Sequence, residues 1–169
     1  MRVWLIRHGI AEAEPPPGHE DEQRVLTDHG RRALRGIGRL LAAQDGPPPE
    51  RIVASPLVRA VQTAEILAAA IEFDGPIEIE PALGRGSVND ILDRVKRAGA
   101  APVGPASAGT HLALVGHEPT MSQVAARLLG LPAFPQPFKA GTVCCIEDGR
   151  FRFLIAPDGP TLLDRLDAT

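Results

Sequence analysis

Sulfur chemistry is almost missing from this chain. Of its 169 residues only two are cysteine, and they are neighbours, Cys144 and Cys145. Successive side chains on a strand point to opposite faces, so these thiols are badly placed to pair or to share a metal. They read as small buried hydrophobes, and so sparse a usage matches a reducing compartment. An excess of positive charge is missing too. The net charge is −3, which builds no polyanion-binding surface and argues against nucleic acid as a partner. No apolar run approaches membrane-spanning length. The opening stretch Met1-Arg2-Val3-Trp4-Leu5-Ile6 is too short for a secretory signal and is interrupted by Arg7 and His8. Internal repeats are absent. Together these absences predict a soluble, cytoplasmic protein with no membrane partner. The length fits one domain over residues 1–169, large enough to bury a core without staples.

What is present is an alternation of strand and helix signals. Arg2 to Arg7 reads as a strand, and a proline-rich loop from Ala11 to about Gln23 leaves its end. Thr27 or Asp28 caps a helix whose buried face is expected at Ala33, Ile37, Leu40 and Leu41. Gly46-Pro47-Pro48-Pro49 stops it. Ile52 to Ser55 is a short buried strand, and Ser55-Pro56-Leu57 turns into a helix from Val58 to about Ile71. Ile77 to Glu80 alternates like a strand. A loop, Gly84-Arg85-Gly86-Ser87, leads to a helix through Ile91, Leu92 and Val95. Gly99 to Gly109 reads as a flexible loop, and His111 to Val115 as another buried strand. Pro119 suits the first turn of a helix running to Leu129. Thr142–Ile146 and Phe151–Ile155 form a hairpin, and the tail from Asp158 carries no clear signal. The fold class expected is α/β: a three-layer αβα sandwich around a mostly parallel sheet, with an antiparallel pair at one edge.

Two hydrophobic strands end in histidine. The first closes as Leu5-Ile6-Arg7-His8-Gly9, the second as Leu114-Val115-Gly116-His117. Arg59 falls in the first turn of the helix after Ser55-Pro56. In a parallel sheet such strand ends share one edge, where open α/β sheets place their chemistry. Two guanidinium forks match phosphate oxygens, and a helix N-terminus favours an anion. One imidazole can attack phosphorus if its nitrogen is unprotonated, and nearby guanidinium charge keeps it so. The other can donate to a phosphoryl oxygen. A dication would be repelled by two arginines, so no metal is expected.

These segments, with Ser55-Pro56-Leu57-Val58-Arg59-Ala60-Val61-Gln62-Thr63-Ala64, Val115-Gly116-His117-Glu118-Pro119 and Leu26-Thr27-Asp28-His29-Gly30, resemble the motifs of the histidine phosphatase superfamily, in that family's order. The resemblance implies His8 as the phosphorylated nucleophile, with Arg7, Arg59, His117 and Gly9 around the phosphate. It implies two-step hydrolysis without metal or cofactor. The short chain is similar to the SixA-type phosphohistidine phosphatases. Larger relatives insert a lid and carry a glutamate acid near a Leu-x-Glu pattern after the third strand. Here that region reads Pro81-Ala82-Leu83-Gly84-Arg85-Gly86-Ser87, with no carboxylate before Asp90. Glu80, Glu12 and Glu118 are the fallback acids. The departure favours a leaving group needing little help, such as an imidazole, and an open site for a phosphohistidine on a protein. Small phosphomonoesters are the runner-up substrates. A phosphate-recognition module without turnover is the alternative from another class.

Other polar residues have plainer readings. His111 is expected to be structural or exposed, and His19 and His29 solvated. Glu118 suits the N-terminus of the following helix. Ser55 organises the turn before Pro56. Thr142 packs at a strand start.

Overall fold

Seven strands organise the molecule, and the central ones are buried on both faces. In the computed structural model, which describes residues 1–100 and 111–166, they are β1 (Arg2–Arg7), β2 (Arg51–Ala54), β3 (Ile77–Ile79), β4 (Leu112–Gly116), β5 (Val143–Glu147), β6 (Arg150–Ala156) and β7 (Thr161–Leu163). They form one seven-stranded sheet in the order β3-β2-β4-β1-β5-β6-β7. The β3, β2, β4 and β1 strands run parallel. The β5, β6 and β7 strands continue the sheet antiparallel.

The side chains of β1 alternate between two cores, as strand geometry requires. Trp4 and Ile6 pack with Ala113, Val115 and Ile52 against helices α1 (Asp28–Ala42) and α2 (Val58–Ala70). Val3 and Leu5 pack with Leu112, Leu114 and Val53 against α4 (Val88–Ala100) and α5 (Thr120–Leu128). Burying one such Leu or Ile is worth ~1.5–3 kcal/mol. This is the three-layer αβα sandwich. Cys144 and Cys145 go to opposite cores, and burial pushes the Cys145 thiol up to about 12 and that of Cys144 higher still.

Several local expectations need correction. On α1 the fully buried positions are Gly30, Leu34, Ile37, Gly38 and Leu41. Leu34, not Ala33, lies on the i, i+3, i+7 stripe with Ile37 and Leu41. Thr27 is the cap, its hydroxyl oxygen accepting from the Gly30 amide at 2.8 Å. The supposed loop at Gly84 begins inside a short helix, α3 (Ala82–Arg85). Ser87 and Asp90 then bond reciprocally where α4 begins. The proline-rich loop contains a 3-10 turn, Asp21–Gln23. The tail adds β7 beyond the expected antiparallel pair. The hairpin turn holds Asp148 and Gly149 at φ 49° and 73°, the two-residue connection that suits strand twist. Of the expected loop from Gly99 to Gly109, Gly99 and Ala100 belong to α4; 101–109 lie outside the described residues.

Candidate active site

The parallel strands deliver their ends to one edge. Arg7 is the last residue of β1 and pairs with Gly116, the last of β4. His8 and His117 therefore leave adjacent strands side by side. The His8 amide still donates to the Gly116 carbonyl at 3.0 Å, and Ser55 at the end of β2 donates its amide to Val115 at 2.9 Å. The two imidazole centroids stand 5.0 Å apart with their planes at 52°.

Each ring has a fixed partner. His8 Nδ1 is 2.7 Å from the Gly9 carbonyl. A carbonyl only accepts, so Nδ1 carries the proton and Nε2 keeps a free lone pair. His117 Nε2 is 2.7 Å from Ser55 Oγ. That oxygen also accepts the Leu57 amide at 3.3 Å. Among the described residues this buried hydroxyl has no acceptor other than His117 Nε2, and donating its proton there assigns the proton of His117 to Nδ1. Burial is the largest cause lowering His8 to about 4. The Gly9 bond opposes that shift, and Arg59, Arg7 and Arg24 reinforce it. Burial, then His8 and the arginines, hold His117 at about 3. Both rings are neutral near pH 7.

The guanidinium groups are sunk into the pocket wall. Arg59, in the first turn of α2, is 6% exposed. A cation is poorly placed at a helix N-terminus unless an anion joins it. Its Nη1 donates to the Asp21 carbonyl at 3.0 Å, and its Nη2 meets Asp21 Oδ2 at 3.3 Å. Arg7 Nη1 donates to the Phe138 carbonyl at 2.6 Å. The Nε atoms of both Arg7 and Arg59 are buried with no hydrogen-bond partner. Unsatisfied buried donors are costly, at ~1–3 kcal/mol each. Both guanidinium charges act on His8 and on His117, so two cationic forks converge on the sheet edge that carries the imidazoles, the charge an oxyanion would match.

Gly9 takes a different part from the one expected. Its amide, its only donor, is held by the buried Thr63 Oγ1 at 3.0 Å, so it offers phosphate nothing. Its carbonyl orients His8 instead. A Cβ there would stand 2.6 Å from Leu34 Cδ1, which explains the glycine by close approach. Thr63 in turn donates to the Arg59 carbonyl at 2.7 Å and so joins β1 to α2.

Two of the three fallback acids are otherwise engaged. Glu80 Oε1 accepts the Ala82 amide, and its Oε2 lies 3.7 Å from Arg94. Glu118 accepts from the Ser122 amide and hydroxyl at the start of α5, its expected helix role. Glu12 is exposed. His111 is structural, accepting the Arg2 amide on Nδ1 and meeting Trp4 edge-on. Sequence reasoning missed Ser55 as the partner of His117, Thr63 as a brace, and Asp21 and Arg24 at the pocket mouth. The i, i+4 spacing of Arg59 and Thr63 on α2 was the one signal available. Among the described residues no group of three or more His, Cys, Asp or Glu could hold a metal ion.

Comparison with known proteins agrees with this geometry. The family model of the histidine phosphatase superfamily (branch 1) matches residues 3–86. An uncharacterized protein of Picosynechococcus sp. (strain PCC 7002) is 38% identical over 123 residues, covering 73% of this chain and 70% of its own. The protein histidine phosphatase SixA, solved with tungstate, superposes with a TM-score of 0.79 at 23% identity, covering 93% of this chain and 97% of that one. The alpha-ribazole phosphatase of Shigella flexneri superposes at 0.66 and 21% identity, over 87% and 90% of the two chains. This chain belongs to the histidine phosphatase superfamily. It is a phosphatase hydrolase with a SixA-like fold.

Proposed function

We propose that the chain hydrolyses phosphohistidine on a protein through a phosphorylated His8. The observation that carries this is the juxtaposition of the free His8 Nε2 with His117 and with the guanidinium charges of Arg7 and Arg59, which act on both imidazoles. In the first step the Nε2 lone pair forms a bond to phosphorus. The P–N bond of the substrate breaks in line on the opposite side, its electron pair going to the substrate imidazole, which leaves neutral with the proton on its other ring nitrogen. Arg7, Arg59 and the Nδ1 proton of His117 face the three equatorial oxygens, where charge spreads in the transition state. In the second step water attacks the phosphorus, the P–Nε2 electron pair returns to His8, which leaves as the neutral imidazole, and the product departs as dihydrogen phosphate carrying both of the water's protons.

The choice of leaving group rests on the carboxylates. Glu80 and Glu118 are bonded into α3 and α5. Asp21, at the mouth, is held well below the usual carboxylate range, chiefly by its hydrogen bond from Arg24. It is ionised at neutral pH and has no proton to give an alkoxide. An imidazole released from phosphohistidine needs less assistance. The domain acts as one unit over residues 1–169, with all four groups contributed by one chain.

The test is a metal-free substrate panel: phosphoramidate, a phosphohistidine peptide, sugar phosphates and para-nitrophenyl phosphate. Nitrogen-bound phosphoryl groups are expected to turn over fastest, with no release by His8→Ala. Turnover surviving in His8→Ala would refute the nucleophile. Faster turnover of sugar phosphates would replace the substrate class, and tight phosphate binding with no release from anything would make the site a recognition module.

A further inference from the structure

Helix α1 carries its charge on one side. It holds Arg31, Arg32, Arg35 and Arg39 against a single carboxylate, Asp28. Arg32, Arg35 and Arg39, spaced i, i+3 and i+7, share the exposed stripe. Among the described residues none of these three pairs with a carboxylate. In a chain of net charge −3 this is a local reversal of sign.

Arg32 and Arg39 of this stripe help form one wall of an open cleft of about 550 Å³, whose other wall is Lys139, Ala140 and the segment 157–160, and Arg35 stands exposed beside them on the same helix face. His29, Arg32 and Arg39 face it from α1 and Lys139 faces it from across. Its one carboxylate, Asp158, is already bonded to Lys139. Ile10, an apolar side chain left 39% exposed, also lines it. Ile10 is two residues from His8, and its carbonyl accepts the amide of Thr27, the α1 cap, at 3.0 Å. The cleft is therefore anchored to the loop that leaves the phosphate pocket.

We propose that this cleft docks an acidic segment of the protein whose phosphohistidine enters the pocket, an inference that rests on the phosphohistidine reading of the site. An apolar contact at Ile10 flanked by unpaired arginines has the composition of a protein interface, with cationic groups that steer and register an anionic partner. A small phosphoester would fill the pocket without reaching the cleft. A membrane surface would meet the arginines but would present no histidine to His8.

The test compares phosphohistidine peptides of equal length whose flanks are rich in Asp and Glu, neutral, or rich in Lys, with phosphoramidate as the flankless control. At low salt the acidic peptide is expected to show a KM about tenfold below the neutral one, at similar kcat, a gap that closes as salt screens it. In Arg32→Ala/Arg35→Ala/Arg39→Ala that advantage disappears, while phosphoramidate turnover stays unchanged and reports that the fold is intact. Equal KM values for all three peptides would overturn the docking alone. So would an acidic preference that survives in the triple variant. Sedimentation with phosphatidylglycerol vesicles that needs the three arginines, without any peptide preference, would overturn it in favour of a membrane. Hydrolysis of para-nitrophenyl phosphate with none of the peptides touched would instead remove the phosphohistidine reading, and the docking with it.

Discussion

Replacing Ser55 by alanine tests whether the proton of His117 is placed by its neighbour. The hydroxyl is fully buried and 2.7 Å from His117 Nε2. Its removal takes away one hydrogen bond, worth ~0.5–1.5 kcal/mol, and leaves a half-buried ring nitrogen unpaired, for a total of ~1–3 kcal/mol. At about 1.4 kcal/mol per tenfold, kcat/KM is expected to fall roughly 5- to 150-fold. The Leu57 amide loses its acceptor as well, so Tm should drop by about 2–12 °C, at roughly 2–4 °C per kcal/mol for a chain of this size. A decrease in rate alone would not distinguish positioning from damage. The decisive assay is the four-cornered comparison of the wild type, Ser55→Ala, His117→Ala and the double variant on para-nitrophenyl phosphate. If Ser55 acts through His117, Ser55→Ala costs nothing further once His117 is gone. The same factor in both backgrounds would refute the assignment and leave Ser55 as a turn residue only.

Other outcomes follow from the same geometry. With His8 at about 4, kcat/KM on an aryl phosphate should stay level from pH 8 to about pH 5 and fall as the ring protonates below that; a decline starting near the ordinary value of about 6.5 would contradict its burial. Both histidines are lowered relative to the unfolded chain. Between their folded values and about 6.5 the unfolded state binds more protons, so stability rises with pH through that window and levels above it; urea midpoints at pH 5 and pH 7 check the sign. Arg59→Lys keeps a charge but loses the fork, and is expected to cost ~3–4 kcal/mol, a hundred- to thousand-fold in kcat/KM. Gly9→Ala drives a Cβ against Leu34 and should destabilise by ~1–3 kcal/mol, read as a lower Tm.

Much of this was legible because its signals are local. A hydrophobic run ending in Arg-His-Gly and another ending in Gly-His show a strand and its functional end together. The parallel layout then predicts that His8 and His117 meet. The remainder depends on side chains distant in sequence. Nothing near Ser55 announces a bond to His117, 62 positions away, and Asp21 reaches Arg59 across 38. The α3 segment reads as a loop in sequence because it ends among glycines. Gly84, however, packs where a Cβ would stand 3.2 Å from Ser55 Oγ and Leu57 Cδ1, so tertiary packing overrides its weak propensity. The β7 strand hid because all three of its residues are exposed, leaving no buried alternation to detect.

The spacing of the two imidazoles has a consequence for how such a molecule can diverge. They continue neighbouring strands of one ladder, and their 5.0 Å separation is close to the interval of roughly 4.8 Å between hydrogen-bonded strands. The distance is thus a property of the sheet and not of any loop. Insertions after β1, β3 or β4 can reshape what approaches the phosphorus and leave this interval untouched. Altering the interval itself requires re-registering the strands at the centre of the molecule.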